Sequence, residues 1–314
     1  MIVTTPIPIT DAILTSSTVQ EPDAGETLWV STSAYAIDDV RLRPNHRKYR
    51  CVKAIPANTV TPPENDAFLA GETVTAAKSW QDIGATNRRA MFELERNTVT
   101  TSAGTMTVVL TPGQRVGSLF LGGMQATKVT VVVTLAGQEI YRRAVSRIAR
   151  RTTSWKTYFF GKFIVLPSLL LADLPPSTGA VITVTLENSF GSPVKCAALV
   201  IGNGEFIGNV QKKAKSDALN FSNTTRDFAG NVTFVPRRTV PRTDQVLELP
   251  KGLVNTVRDL RTALNAKVAV WSGLDDFSDD GYFESLLILG FYRQFSIDLD
   301  QQKEALVTLE LEEI

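Results

Sequence analysis

The residue types that do chemistry are thinly spread in this chain. It holds one histidine, His46, and two cysteines, Cys51 and Cys196. A Ser-His-Asp or Cys-His mechanism would have to run through His46. That residue sits in RLRPNHRKYR, after the turn-forming Pro44-Asn45 and among Arg43, Arg47 and Lys48. Flanking cations disfavour a protonated ring, and no carboxylate stands beside it in sequence to orient it. His46 is therefore expected to be a solvated turn residue. The cysteines lack the paired spacing of a zinc site or disulfide framework. Both read as free, buried thiols, with a disulfide between them the less favoured alternative. A glycoside hydrolase would need two carboxylates across a cleft. Asp38, Asp39, Glu64 and Asp66 supply the residue type, but nothing in their spacing sets a pair apart.

Two motifs imitate ligand sites. Gly202, Gly204 and Gly208 come after the strand-like AALVI in AALVIGNGEFIGNV, as in a dinucleotide fingerprint. The chain then runs on as QKKAKSDALN, not as an apolar helix returning to a parallel strand. The glycines are expected to serve a turn at a sheet edge. DDFSDDGYFE places Asp276, Ser278, Asp280 and Gly281 at the first, third, fifth and sixth positions of a calcium loop. The twelfth position, where a bidentate glutamate belongs, is Leu287. An acidic loop facing solvent or a basic partner is expected instead. No catalytic set, cofactor or metal is anticipated.

The arginines carry more promise. Arg142, Arg143 and Arg147 cluster in YRRAVSRIARR, and Arg88 and Arg89 in ATNRRAMF. No aromatics interleave with the first cluster, and 33 basic against 32 acidic residues give a net charge of +1. That balance exerts no global pull towards nucleic acid or membrane, so no nucleic-acid partner is expected. The planar fork of arginine suits carboxylates at interfaces. Arg142, Arg143 and Arg147 are expected to meet acidic surface on neighbouring subunits, with Asp275, Asp276, Asp279 and Asp280 as the natural counterparts, and Arg88 and Arg89 to serve an interface with a neighbouring domain or subunit.

Positioning such residues falls to a mainly β scaffold. Of 314 residues, 43% are hydrophobic and 21% charged, an ordinary folded composition with room for two or three domains. TMTVVL, KVTVVVTL, AVITVTLE, KCAALVIG, SLLILGFY and ALVTLELEEI are short, β-branched and bounded by turn formers. One segment reads as helix: Leu253, Val254, Val257, Leu260 and Leu264 recur at helical spacing, with Asn255, Arg258, Asp259 and Arg261 opposite. The chain divides into four pieces. Residues 1–19 give a strand to a sandwich; 20–84 are a small β insert; 85–208 are the β-sandwich; 209–314 open with a basic linker and form an α+β docking domain. The terminal ALVTLELEEI is expected to offer a free strand edge for pairing. No apolar run approaches the ~20 residues that span a bilayer, so membrane insertion is not expected. MIVTTPIPIT has neither a basic leader nor a long apolar core, which implies synthesis in the cytoplasm.

Three resemblances rest on particular residues. Trp29, Tyr35, Asp39-Val40, Tyr49-Arg50-Cys51 and a closing Trp80 resemble the small three-stranded carbohydrate-binding modules of chitinases. That resemblance makes Trp29, Tyr35, Tyr49 and Trp80 candidate glycan contacts, the alternative being that they are the core of a very small module. The strand after Cys51 carries no aromatic. Residues 85–208, with the Pro175-Pro176-Ser177-Thr178-Gly179 turn before AVITVTLE, resemble a galactose-binding-like jelly roll. The phrase Trp80-x-Asp82-x-Gly84-x-Thr86-Asn87-Arg88, then Ala90-Met91-Phe92, is similar to one found in bacteriophage tail and baseplate proteins. It departs from that family's acidic turn at Glu93-Leu94.

This last resemblance implies a structural component of a phage tail: a baseplate, nozzle or fibre-attachment adaptor in the virion. It would assemble as a homo-oligomer, most simply a trimer or hexamer, and dock other tail proteins. The alternative is a tail protein that binds host surface glycan. In either case KSWQDIGATNRRAMFEL reads as a seam. Trp80 closes the insert, Asp82 and Asn87 form turns and caps, Arg88 and Arg89 reach across to a neighbouring domain or subunit, and Met91 and Phe92 enter the sandwich core.

Overall fold

The computed structural model describes residues 1–68, 78–94, 98–150, 152–211, 214–274, 284–299 and 303–314. Strand makes up 49% of the chain and helix 10%, so the mainly β expectation holds. The strands form several antiparallel sheets, two of which make the sandwich.

The sandwich follows from alternation. Strands Lys128–Leu135 and Ala180–Glu187 bury every second residue, as a sheet with one wet face must. With Met106–Leu110, Gln138–Ser146 and Leu14–Ser17 they build a five-stranded sheet. Its inward residues Val131, Val133, Ile182 and Val184 pack on Leu119, Leu121, Leu169, Leu199 and Ile201 of the facing sheet. Those facing strands, Leu169–Leu171, Ser118–Gly122 and Ala198–Phe206, begin a sheet of ten strands.

The first strand, Ile2–Pro6, lies in the middle of that large sheet. It pairs with Ala198–Phe206 on one side and Ala269–Ser272 on the other. The sheet continues through Leu287–Asp298, Glu304–Glu313 and Thr239–Pro250. The C-terminal half folds around Trp271, Phe295, Val307 and Leu309. Helix α1 (Trp155–Phe160) belongs to the sandwich half, and α2 (Val254–Ala263) packs Val257 and Leu260 onto the C-terminal core, with Leu264 just beyond its end. The amphipathic spacing in the sequence is therefore realised in α2.

Two expectations need correction. The terminal strand Glu304–Glu313 is no free edge: it is bonded on both sides, to Leu287–Asp298 and Thr239–Pro250. Gly202 and Gly204 serve no edge turn either. Both lie within Ala198–Phe206, in the interior of the large sheet. A Cβ at Gly202 would stand 2.2 Å from the Thr5 carbonyl oxygen, so the first strand can approach only a glycine there.

The insert has a sheet of four strands where three were expected: Val40–Leu42, Arg47–Cys51, Trp80–Ala85 and the two-residue, parallel Ala67–Phe68. Its core is Tyr35, Tyr49, Cys51, Ile55, Ala67 and Trp80, with Trp29 packed against it. Tyr35 meets Trp80 edge to face at 5.3 Å between ring centroids.

Candidate interaction surfaces

The seam is built first by Trp80–Ala85, which carries the chain out of the insert sheet. Asp82 is not a cap. It accepts from Arg47 Nε at 2.7 Å and Nη2 at 3.1 Å, and from the Gly84 amide at 2.9 Å. Arg47 also reaches Glu93 Oε1 at 3.1 Å. Burial works against the Arg47 charge, but the hydrogen bonds and charges of Asp82 and Glu93 outweigh it and raise its pKa. Asn87 stitches the insert to the sandwich. It donates to Asp23 and to the Thr101 carbonyl at 2.8 Å, and accepts from the Thr101 amide at 2.8 Å. Arg89 donates to the Ile9 carbonyl at 3.1 Å and pairs with Asp11. Met91 is fully buried in the sandwich core with Phe92 packed against it.

His46 sits in this seam, in the turn expected of it, and with left-handed backbone at φ 61°. The expectation that it lacks an orienting carboxylate is wrong. Nδ1 lies 2.8 Å from Glu21 Oε2 and Nε2 lies 3.0 Å from Asp11 Oδ1. Both carboxylates come from upstream chain that only folding brings near, which is why local sequence concealed them. A cleft of about 600 Å³ opens here, lined by His46, Arg47, Arg89 and Glu93 among others. These charged groups are engaged with one another across the insert, the N-terminal segment and the sandwich. What the arrangement does chemically is hold three segments together.

The candidate glycan residues are placed as core. Tyr35, Tyr49 and Trp80 are buried and present no ring face to solvent. The Tyr35 hydroxyl donates to the Val30 carbonyl at 2.7 Å and accepts from its amide at 2.6 Å. Trp29 is half-buried with the Arg43 guanidinium 4.7 Å from its ring centroid. Two of the insert's candidate carboxylates are also engaged. Glu64 receives Arg43 in bidentate fashion at 2.7 Å per bond, which lowers its pKa, and Asp66 accepts the Ser79 amide. Cys51 and Cys196 are free and buried, and burial pushes the Cys196 thiol up to about 12.

The arginines divide. Arg142 and Arg143 lie on the outer strand Gln138–Ser146, paired with Glu139 and Asp173. Arg147 was expected at an interface but is 3% exposed. Its guanidinium donates to the Ser168 carbonyl and lies 3.5 Å from Glu284, so it braces the interior. Arg88 Nε is buried without a hydrogen-bond partner among the described residues. Asp275, Asp276, Asp279 and Asp280, and with them the calcium-like loop, lie outside the described residues.

Two surfaces give little sign of themselves in the sequence. The first is an arm. Every residue from 220 to 239 is exposed. Within it Asn223–Arg226 pairs with Val232–Val235 as a two-stranded hairpin. Its turn is held by Asp227, which accepts from the Asn231 amide and side chain at 2.8 Å each. Phe221, Phe228 and Phe234 stand in solvent. The sequence reads as a basic linker because its apolar residues are isolated among polar ones. The second is α1. Ser154 and Thr157 close a capping box at its N-terminus, yet none of its residues is buried. Trp155, Tyr158, Phe159 and Phe160 all face outward. The density of aromatics in SWKTYFFGKF was the available signal.

No family model matches this chain, and no curated protein matches it in sequence.

Proposed function

We propose that the chain is a structural subunit of a bacteriophage tail, at the baseplate, nozzle or fibre-attachment level, present in several copies and docked to other tail proteins. The observation that carries this reading is the arm. The hairpin prolongs the pairing of Lys215–Asn220 with Thr239–Pro250 beyond the body of the sheet. Two strands with neither face covered are marginal in water, and every residue of 220–239 is exposed, three phenylalanines included. Such a segment gains its stability by lying on another subunit. The Trp80-to-Phe92 phrase, similar to one in phage tail proteins, supports the setting. A trimer or hexamer is the simplest closed arrangement.

Host-glycan binding is the weaker reading, because three of the four rings proposed to meet sugar are buried inside the insert.

The test is to label purified virions with an antibody to this chain and locate it by electron microscopy. Label at the collar or baseplate ring is the expected result. Label at the distal fibre tips would favour receptor binding, and particles without label would overturn both readings.

A further inference from the structure

The loop that carries α1 has a chemistry the adaptor role does not require. It springs from a short pair, Ile148–Ala149 with Ile164–Val165. The base is fixed: the Leu166 amide donates to the Arg147 carbonyl at 2.8 Å, and the Arg147 side chain holds the Ser168 carbonyl. Beyond that base the rings contact each other. Trp155 and Phe159 stack at 6.3 Å, and Tyr158 meets Phe159 edge to face at 5.1 Å. Trp155 is 80% and Phe160 83% exposed. The charged residues described between 148 and 168 are Arg150, Lys156 and Lys162, with no carboxylate among them. Arg150 lies over the Phe163 ring at 4.2 Å.

We propose that α1 and its flanks are an interfacial anchor for a bilayer containing anionic phospholipid. Tryptophan, tyrosine and phenylalanine flanked by lysine are suited to the headgroup boundary, where the rings enter the acyl edge and the ammonium groups meet phosphate. Protein interfaces are enriched in the same aromatics but depleted in lysine, so Lys156 and Lys162 are what point to lipid. This contact needs no spanning segment, and no helix among the described residues is long and apolar enough to cross a membrane. The anchor does not depend on the tail-subunit reading.

The test uses the full chain with vesicles of phosphatidylcholine alone, or of phosphatidylcholine and phosphatidylglycerol in equal parts. Flotation with the anionic vesicles and a blue shift of tryptophan emission are expected. Trp155 would dominate that shift because Trp80 and Trp271 are already buried; the half-buried Trp29 is removed from the readout by working in a Trp29→Phe background. Trp155→Ser/Phe160→Ser should weaken partitioning by about tenfold or more. Lys156→Gln/Lys162→Gln should do the same on anionic vesicles and leave the neutral ones unchanged. All four side chains are outside the cores, so unchanged circular dichroism serves as the control for folding. A chain that does not float, or variants that float like the parent, would overturn the proposal. So would a Trp155→Ser/Phe160→Ser variant whose only change is a smaller mass in sedimentation, since that would assign the rings to a second copy.

Discussion

The seam and the arm make an instructive pair. KSWQDIGATNRRAMFEL is dense in ionic and aromatic residues and looks like a site. The arm, NFSNTTRDFAGNVTFVPRRT, looks like a linker. In the fold the seam's side chains turn on one another: Arg47 with Asp82 and Glu93, Asn87 with Asp23 and Thr101, Trp80 with Tyr35. The arm is held by bonds within its own hairpin, at the Asp227–Asn231 turn and between Ser222 and Arg237, and by Arg238 at its base, which reaches the Ile314 carbonyl and Glu313; its phenylalanines stay in solvent. Chemical density in a sequence can mark internal cohesion, and a bland segment can be the surface with bonding capacity left over.

The comparison can be broken most severely at Trp80. Trp80→Ala removes the largest ring of a very small core and should cost about 4 kcal/mol. Chemical denaturation should then show the insert unfolding before the sandwich. A single unshifted transition would mean that the insert does not depend on its aromatic core. A smaller effect is expected at Asn87. Asn87→Ala removes the side-chain bonds that tie the insert to the sandwich and should cost about 2 kcal/mol, read as faster proteolysis between the two. In the arm, Phe228→Ser/Phe234→Ser should change the stability of the isolated chain by no more than about 0.5 kcal/mol, while lowering incorporation into particles. A large loss of stability would show that the arm is part of the fold.

The least effect is expected from pH at the arm's turn. Hydrogen bonds from Asn231, chiefly from its side chain, hold the Asp227 carboxyl below its ordinary range. Because its folded pKa is depressed, its contribution is intact above the ordinary carboxylate value and fades as pH falls through the lowered one. The Asn231 side-chain amide signal in NMR should therefore stay constant down to mildly acidic pH and move only below it.

Much of the scaffold was legible in the sequence, and for definite reasons. Alternation in KVTVVVTL and AVITVTLE announces half-buried strands, and the Val254, Val257, Leu260 spacing announces α2. These are local signals. The features that stayed hidden depend on long-range closure. Nothing near His46 foretells Asp11 and Glu21, and although a strand is expected within residues 1–19, nothing in MIVTTP announces that it lies inside a sheet of ten, bonded on both sides. Glu304–Glu313 alternates like an edge strand because one of its faces is wet, but whether a strand is bonded on both sides is set by topology. Arg147 looks like its exposed neighbours Arg142 and Arg143, and only its place against Ser168 and Glu284 buries it. The rings of α1 are conspicuous only by their density in SWKTYFFGKF; that they are exposed is not written there, because large aromatics are more often buried than not.

The central claim is that the arm is completed by another chain. Hydrogen–deuterium exchange on the purified chain and on particles that contain it would test this most directly. In the free chain the amides of 221–238 should exchange in the fastest class, while those of Lys128–Leu135 and Ala180–Glu187 stay protected. In particles the arm should become as slow as the sandwich. Equally fast exchange in both states would contradict the claim that the arm is an assembly element.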